Sequence, residues 1–189
     1  MGREKADSER CLECHGGSGE GQGFSVGTDG KFAKLAGQHP EYIIKQIQDF
    51  RSGKRKHEFM KMMATGISDA DLADIAAYFA TLPPMPAAAK SAQAHQQATA
   101  PLSHAQQLYA RGDPARKLPA CTSCHGENGK GTAGVGPVIG GQGQRYLEQQ
   151  LHDWRSGSRK NSAGGVMNQL AAPLSDAEIE ALARYVSEM

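Results

Sequence analysis

Two halves of this chain carry the same landmarks in the same order, and that duplication limits the fold more than any other feature. Cys11-Leu12-Glu13-Cys14-His15-Gly16 recurs as Cys121-Thr122-Ser123-Cys124-His125-Gly126. Leu35-Ala36-Gly37-Gln38 recurs as Ile139-Gly140-Gly141-Gln142, and Arg51-Ser52-Gly53-Lys54-Arg55-Lys56 as Arg155-Ser156-Gly157-Ser158-Arg159-Lys160. Ile67-Ser68-Asp69-Ala70 then matches Leu174-Ser175-Asp176-Ala177. Ordered landmarks with small changes of spacing are the mark of a tandem repeat. A chain of 189 residues is comfortable for two small domains. The first is expected over residues 1–82 and the second over 103–189. Pro83-Pro84-Met85-Pro86 cannot continue a helix and opens an Ala/Gln/Ser-rich stretch, so residues 83–102 are expected to be the connection.

Each copy reads as helical, which makes the fold class all-α. Tyr42, Ile43, Ile47 and Phe50 fall at helical spacing, as do Tyr146, Leu147, Leu151 and Trp154. The last helix of each copy opens with a capping signature, Ser68-x-x-Asp71 and Ser175-x-x-Glu178. Its apolar stripe is Leu72, Ile75, Ala76, Phe79 in the first copy and Ile179, Leu182, Ala183, Val186 in the second. No run alternates as a strand would. The glycine-rich segments 16–30 and 126–143 read as loops that let backbone pass close to a flat group.

Cys-x-x-Cys-His is the attachment signature of haem c. Cysteines three apart share a helix face and can form thioethers to two vinyl groups, while the adjacent histidine turns its imidazole to the iron. Cys11, Cys14, Cys121 and Cys124 are therefore the expected covalent attachment points of two haem groups, with His15 and His125 as iron ligands. Composition agrees: the chain is 6% aromatic with 23 glycines, a thin core unless a large apolar cofactor fills each half. One zinc site would have to join Cys pairs from separate repeats, and a thioredoxin-like dithiol needs a βαβ pattern that is absent. A net charge of +1 gives no reason to expect nucleic acid or an anionic membrane. No apolar run approaches a membrane span. The polar start Met1-Gly2-Arg3-Glu4-Lys5 holds no leader, so the chain is expected to be the mature form of an exported protein.

The iron then needs a sixth ligand, and a methionine thioether raises the potential. Met60 lies eight residues before Ser68 and Met167 eight before Ser175, so the repeat pairs them. Met167 is the one methionine of its copy besides Met189. In the first copy Met62 and Met63 follow closely, and Met63 stands as the alternative to Met60. His57 has no histidine counterpart and reads as a surface residue, as do His39, His95, His104 and His152. Gln38 with Gln142, Tyr42 with Tyr146, and Arg51 with Arg155 could reach haem propionates or a domain interface, or serve helix starts and surface.

With these residues in view, the chain resembles the cytochrome c4 family of dihaem electron carriers. The likeness rests on Cys11–His15, Leu35-Ala36-Gly37-Gln38, Gln46-x-x-Asp49-Phe50-Arg51-Ser52-Gly53, and the placement of Met60 and Met167 before Ser-Asp helix starts. It implies two class I cytochrome c domains related by duplication and packed about a pseudo-twofold axis, with His/Met ligation at both irons. It also implies a bacterial periplasmic protein, soluble or loosely membrane-associated, passing electrons from quinol-oxidising complexes toward a terminal oxidase. The lead-in before Cys11 is short, so the family's first helix is expected to be trimmed, leaving its packing on residues 69–80 open. Irons closed by His and Met leave no position for a small-molecule substrate, so a carrier is expected and not an enzyme. The alternatives are a cytochrome subunit of a larger dehydrogenase, or a dihaem enzyme.

Overall fold

A computed structural model describes residues 1–22, 32–85, 87 and 100–189, and the chain divides into two compact units, Met1–Met85 and Pro86–Met189. Most of the expected connection, 83–102, lies outside the described residues, as does part of the 16–30 loop. Met85 is buried, and Pro84 runs close beside Gly37. The described elements are helical; strand pairing among them is limited to the isolated bridges Asp113–Leu118 and Thr132–Gly136. No described helix is long and apolar enough to cross a membrane.

The first unit contains α1 (Gly2–Ser8), α2 (Cys11–His15), α3 (Pro40–Arg51), α4 (Glu58–Gly66) and α5 (Asp69–Thr81). Helix α5 starts where Ser68 Oγ accepts the Asp71 N–H at 3.1 Å. Its stripe Leu72, Ile75, Ala76 and Phe79 is almost wholly buried, with α1 and α3 packed against the helix. Burying each of the larger side chains contributes about 1.5–3 kcal/mol. Helix α3 opens with Pro40 at its first turn, where the missing N–H costs nothing, and buries Ile43 and Phe50.

The N-terminal lead-in is shorter than the second copy's but still helical. Ala6 is fully buried, and Lys5 pairs with Asp71 at 2.8 Å and with Asp74, so α1 is anchored to the start of α5. Gly2 sits so close to α5 that a Cβ there would lie 2.3 Å from the Asp74 carbonyl oxygen.

The second unit repeats the plan with α6 (Leu102–Arg111), α7 (Thr122–His125), α8 (Gln144–Ser156), α9 (Val166–Ala171) and α10 (Asp176–Ser187). Ser175 and Glu178 complete a reciprocal cap: Ser175 Oγ accepts the Glu178 N–H at 3.2 Å, and Glu178 accepts the Ser175 N–H at 2.9 Å. Ile179, Leu182, Ala183 and Val186 are buried, with α6 and α8 packed on α10.

Helices α4 and α9 carry the aligned methionines. A guanidinium supports each from the preceding helix. Arg51 donates from Nε to the Ala64 carbonyl at 2.7 Å, from Nη2 to the Ile67 carbonyl, and from Nη1 to Asp69. Arg155 donates to the Leu174 carbonyl at 2.8 Å and to Asp176. Both arginines thus satisfy carbonyls near the turn that joins the methionine helix to the last helix, a role the sequence did not suggest.

Candidate haem sites

Cys11 and Cys14 lie on one turn of α2, with His15 ending the helix; Cys121, Cys124 and His125 do the same around α7. All four cysteines are free thiols and half-buried. Gly16 and Gly126 follow with φ of 83° and 70°, positive values that favour glycine, and each helix ends immediately after its histidine.

From there the two loops close in the same way. Gly21 N–H donates to the His15 carbonyl at 2.8 Å, and Gly131 N–H to the His125 carbonyl at 2.7 Å. The carbonyl of Gly19 accepts from Leu35 and Ala36, as that of Gly129 accepts from Ile139 and Gly140. Gly37 and Gly141 then donate to Phe79 and Val186 on the last helices, at 2.9 and 3.0 Å. Gln38 and Gln142, both buried, turn their amide oxygens to the next residue's N–H at 3.0 Å, which sets the start of α3 and α8.

This returning strand of loop orients each imidazole. His15 Nδ1 lies 2.7 Å from the Ala33 carbonyl oxygen, and His125 Nδ1 lies 3.0 Å from that of Pro137. A carbonyl only accepts, so Nδ1 carries the proton and Nε2 keeps its lone pair. Desolvation holds both imidazoles below the usual histidine pKa, against the opposing pull of those carbonyls, so the neutral form that can bind a metal is favoured. A fixed Nδ1–H with a bare Nε2 is the arrangement metal-binding histidines adopt.

The residues present fit haem c. Burial pushes the Cys11 and Cys121 thiols up to about 11, with Glu9 adding to the effect at Cys11. That is the reverse of a reactive dithiol, whose thiolate is stabilised. Among the described residues no three His, Cys, Asp or Glu side chains converge to hold a bare metal ion. The protein has instead one imidazole per site, two thiols on the same turn, and a glycine-rich return path.

Met60, Met63 and Met167 are half-buried, whereas Met62 is 62% exposed and points outward. The backbone N–H of each aligned methionine is held by an upstream side chain: Met60 donates to His57 Nδ1 and Met167 to Ser162 Oγ, both at 3.2 Å. His57, expected as a surface residue, is exposed and also caps α4. This function was invisible in the alignment because imidazole and hydroxyl do the same work at different spacings. His104 also has a role, pairing with Glu178 at 3.0 Å.

Outside likenesses agree with this chemistry. The cytochrome c family model matches residues 2–83 and again 103–189. A cytochrome c4 of Thiocapsa roseopersicina is 39% identical over 178 residues, covering 93% of this chain and 85% of its own length. A thiosulfate dehydrogenase electron acceptor of Stutzerimonas stutzeri is 35% identical over 179 residues, covering 95% of this chain and 78% of its own. The crystal structure of reduced recombinant cytochrome c4 from Pseudomonas stutzeri matches with a TM-score of 0.83 at 34% identity, covering 100% of this chain and 96% of that one. The chain thus belongs to the cytochrome c family, in its cytochrome c4 branch, and is an electron carrier with two covalently bound haem c groups.

Proposed function

We propose that each iron is held between one imidazole and one thioether, His15 with Met60 and His125 with Met167, and that the protein passes electrons in a periplasmic respiratory chain. The observation that carries this is the pair of matched Nδ1–carbonyl contacts, which leave His15 Nε2 and His125 Nε2 as the free donors. Cys11, Cys14, Cys121 and Cys124, all free thiols, would hold the two groups covalently through their sulfurs. Bound haem supplies a one-electron ferric/ferrous couple, so the chain stores two electrons.

The protein's own part is to saturate and shield. Two filled axial positions leave no site for a reactant, which favours a carrier over a dihaem enzyme. The redox partners in this reading are a quinol-oxidising complex as donor and a terminal oxidase as acceptor, with loose membrane association at most. Domain limits of 1–82 and 103–189, joined by 83–102, are supported by the two stretches the family model matches.

Met60 is preferred to Met63 because its backbone is fixed by His57 as that of Met167 is fixed by Ser162. The test is the methionine-to-iron charge-transfer absorption of the oxidised protein. Met60→Ala should lose half of it and Met63→Ala none; persistence of the full band in Met60→Ala would refute the assignment. Carbon monoxide uptake by the reduced wild-type protein would refute the closed sites.

A second reading is supported by two relatives named as thiosulfate dehydrogenase electron acceptors. In that case thiosulfate with such a dehydrogenase should reduce the oxidised protein within seconds, while a quinol-oxidising complex should not.

A further inference from the structure

The two domains present different chemistry on their methionine helices. In the first, Phe59 is 49% exposed and Met62 is 62% exposed. Three residues apart on α4, they lie side by side on the arc opposite the fully buried Ala64. In the same segment, 54–62, Lys54, Lys56 and Lys61 are exposed and form no ion pair among the described residues, and Glu58 is the one acidic side chain. Arg55 is otherwise engaged, donating to Gln46 at 2.9 Å and lying over the Phe50 ring.

The second copy lacks this pattern. Val166 and Gln169 stand where Phe59 and Met62 do, Asn168 replaces Lys61, and Ser158 replaces Lys54, leaving Lys160 as the counterpart of Lys56. Its Arg159 is buried against Trp154 and bonded to Gln150 and Asn161. The contrast is sharper because residues 1–85 as a whole carry eleven Lys/Arg against twelve Asp/Glu. Four of those eleven fall within 54–61, so the first domain is acidic elsewhere and basic at this one face.

We propose that the α4 face, with Phe59 and Met62 at its centre and Lys54, Lys56 and Lys61 at its rim, is the docking surface for an acidic redox protein. An apolar centre with a charged rim is the anatomy of a small transient interface. The cationic rim steers the encounter, and the apolar pair holds the encounter complex once water is displaced. One electron then leaves the partner's reduced centre and converts the ferric iron of the first domain to ferrous. This rests on the electron-carrier reading and on Met60 facing the first haem.

The experiment is stopped-flow reduction of the oxidised dihaem protein by flavodoxin hydroquinone, an acidic one-electron donor that becomes the semiquinone. Expected for the wild type is a second-order rate that falls about tenfold or more between low salt and 0.3 M salt. The triple variant Lys54→Glu/Lys56→Glu/Lys61→Glu should lose about tenfold at low salt and most of the salt dependence. Lys160→Glu in the second domain should change the rate less than twofold. Phe59→Ser/Met62→Ser should keep the salt dependence and raise the flavodoxin concentration needed for half-saturation several-fold.

Equal effects of the triple variant and Lys160→Glu would overturn the proposal, as would an unchanged rate in the triple variant. Lysine-dependent binding to vesicles containing anionic phospholipid, with no effect on flavodoxin, would overturn it in favour of a membrane surface. Every variant here changes exposed side chains, so haem content and the methionine charge-transfer band should match wild type. Failure of the ligation assignment would be read separately, as persistence of that band in Met60→Ala.

Discussion

The imidazole Nδ1 of His125 stands 3.0 Å from the carbonyl oxygen of Pro137, and the same contact joins His15 to Ala33 at 2.7 Å. A backbone acceptor cannot be removed by mutation, so these contacts fix ring orientation through the loop fold. If His15 and His125 are the proximal ligands, His15→Ala and His125→Ala should each open one iron. Carbon monoxide binding to the reduced variant should titrate to one equivalent per chain, and added imidazole should suppress it. Both haems should stay attached on a denaturing gel, since the cysteines are intact.

Arg155 bridges α8 to the turn before α10 through the Leu174 carbonyl and Asp176. Hydrogen bonds from a charged donor are worth about 1.5–3 kcal/mol, and a buried carbonyl left without a donor adds to the cost. Arg155→Ala should therefore lower the melting temperature of the second domain by roughly 6–24 °C, at about 4–8 °C per kcal/mol for a domain of this size. Arg155→Lys should recover less than half, because an ammonium cannot span carbonyl and carboxylate in a fixed fork. Calorimetry of the holoprotein reads both.

Glycines in the haem loops separate two costs that are usually confounded. Gly134 has φ of 72° with open space around it, whereas Gly129 has φ of 65° and a Cβ there would fall 2.3 Å from the Gly140 nitrogen. Gly134→Ala should lose about 1 kcal/mol, the left-handed backbone cost alone. Gly129→Ala must also push backbone apart where Ile139 and Gly140 donate to Gly129, and should lose at least twice as much in denaturant unfolding.

Much of this was legible in the sequence because it is local or repeated. The caps at Ser68 and Ser175 and the stripes of α5 and α10 follow from spacing within one helix, and the histidines from a five-residue motif. The contacts that finish the sites were not legible because they join distant residues through backbone carbonyls, which carry no sequence signature. Ala33 and Pro137 share a position but no side-chain chemistry. His57 and Ser162 share a task but neither type nor spacing. Arg51 and Arg155 did stand out as a matched pair; what they touch depends on how α3 and α8 lie beside the turn at Ile67 and Leu174, which no pattern of hydrophobicity reports. The lead-in before Cys11 is short against the family pattern, and its packing on α5 has no sequence signal. Its close packing depends on Gly2, a residue whose value appears only against Asp74.

Acid stability should differ between wild type and a variant at Glu178. This carboxylate is 8% exposed and is gripped by Arg116 through two contacts of 2.8 and 3.0 Å, with His104 at 3.0 Å. The Arg116 hydrogen bond lowers its pKa to about 2, against the opposing cost of burial, with the Ser175 N–H and His104 adding to the drop. A carboxylate depressed in the folded state binds a proton more readily when unfolded. Its stabilisation is therefore complete above the unfolded value near 4.5 and is lost as pH falls toward 2. The shift corresponds to about 3–4 kcal/mol before screening, and solvent on the Arg116 side reduces it to roughly 2–3 kcal/mol. Glu178→Gln keeps the shape and one acceptor but removes the titration. Expected is a lower unfolding free energy for the second domain at pH 7, and curves for variant and wild type that converge between about pH 4.5 and 2. Protonation at the haem ligands and propionates acts on both proteins alike and cancels in the difference. Parallel curves across that window, measured by denaturant unfolding of the holoproteins, would show that Glu178 contributes no proton-linked stability.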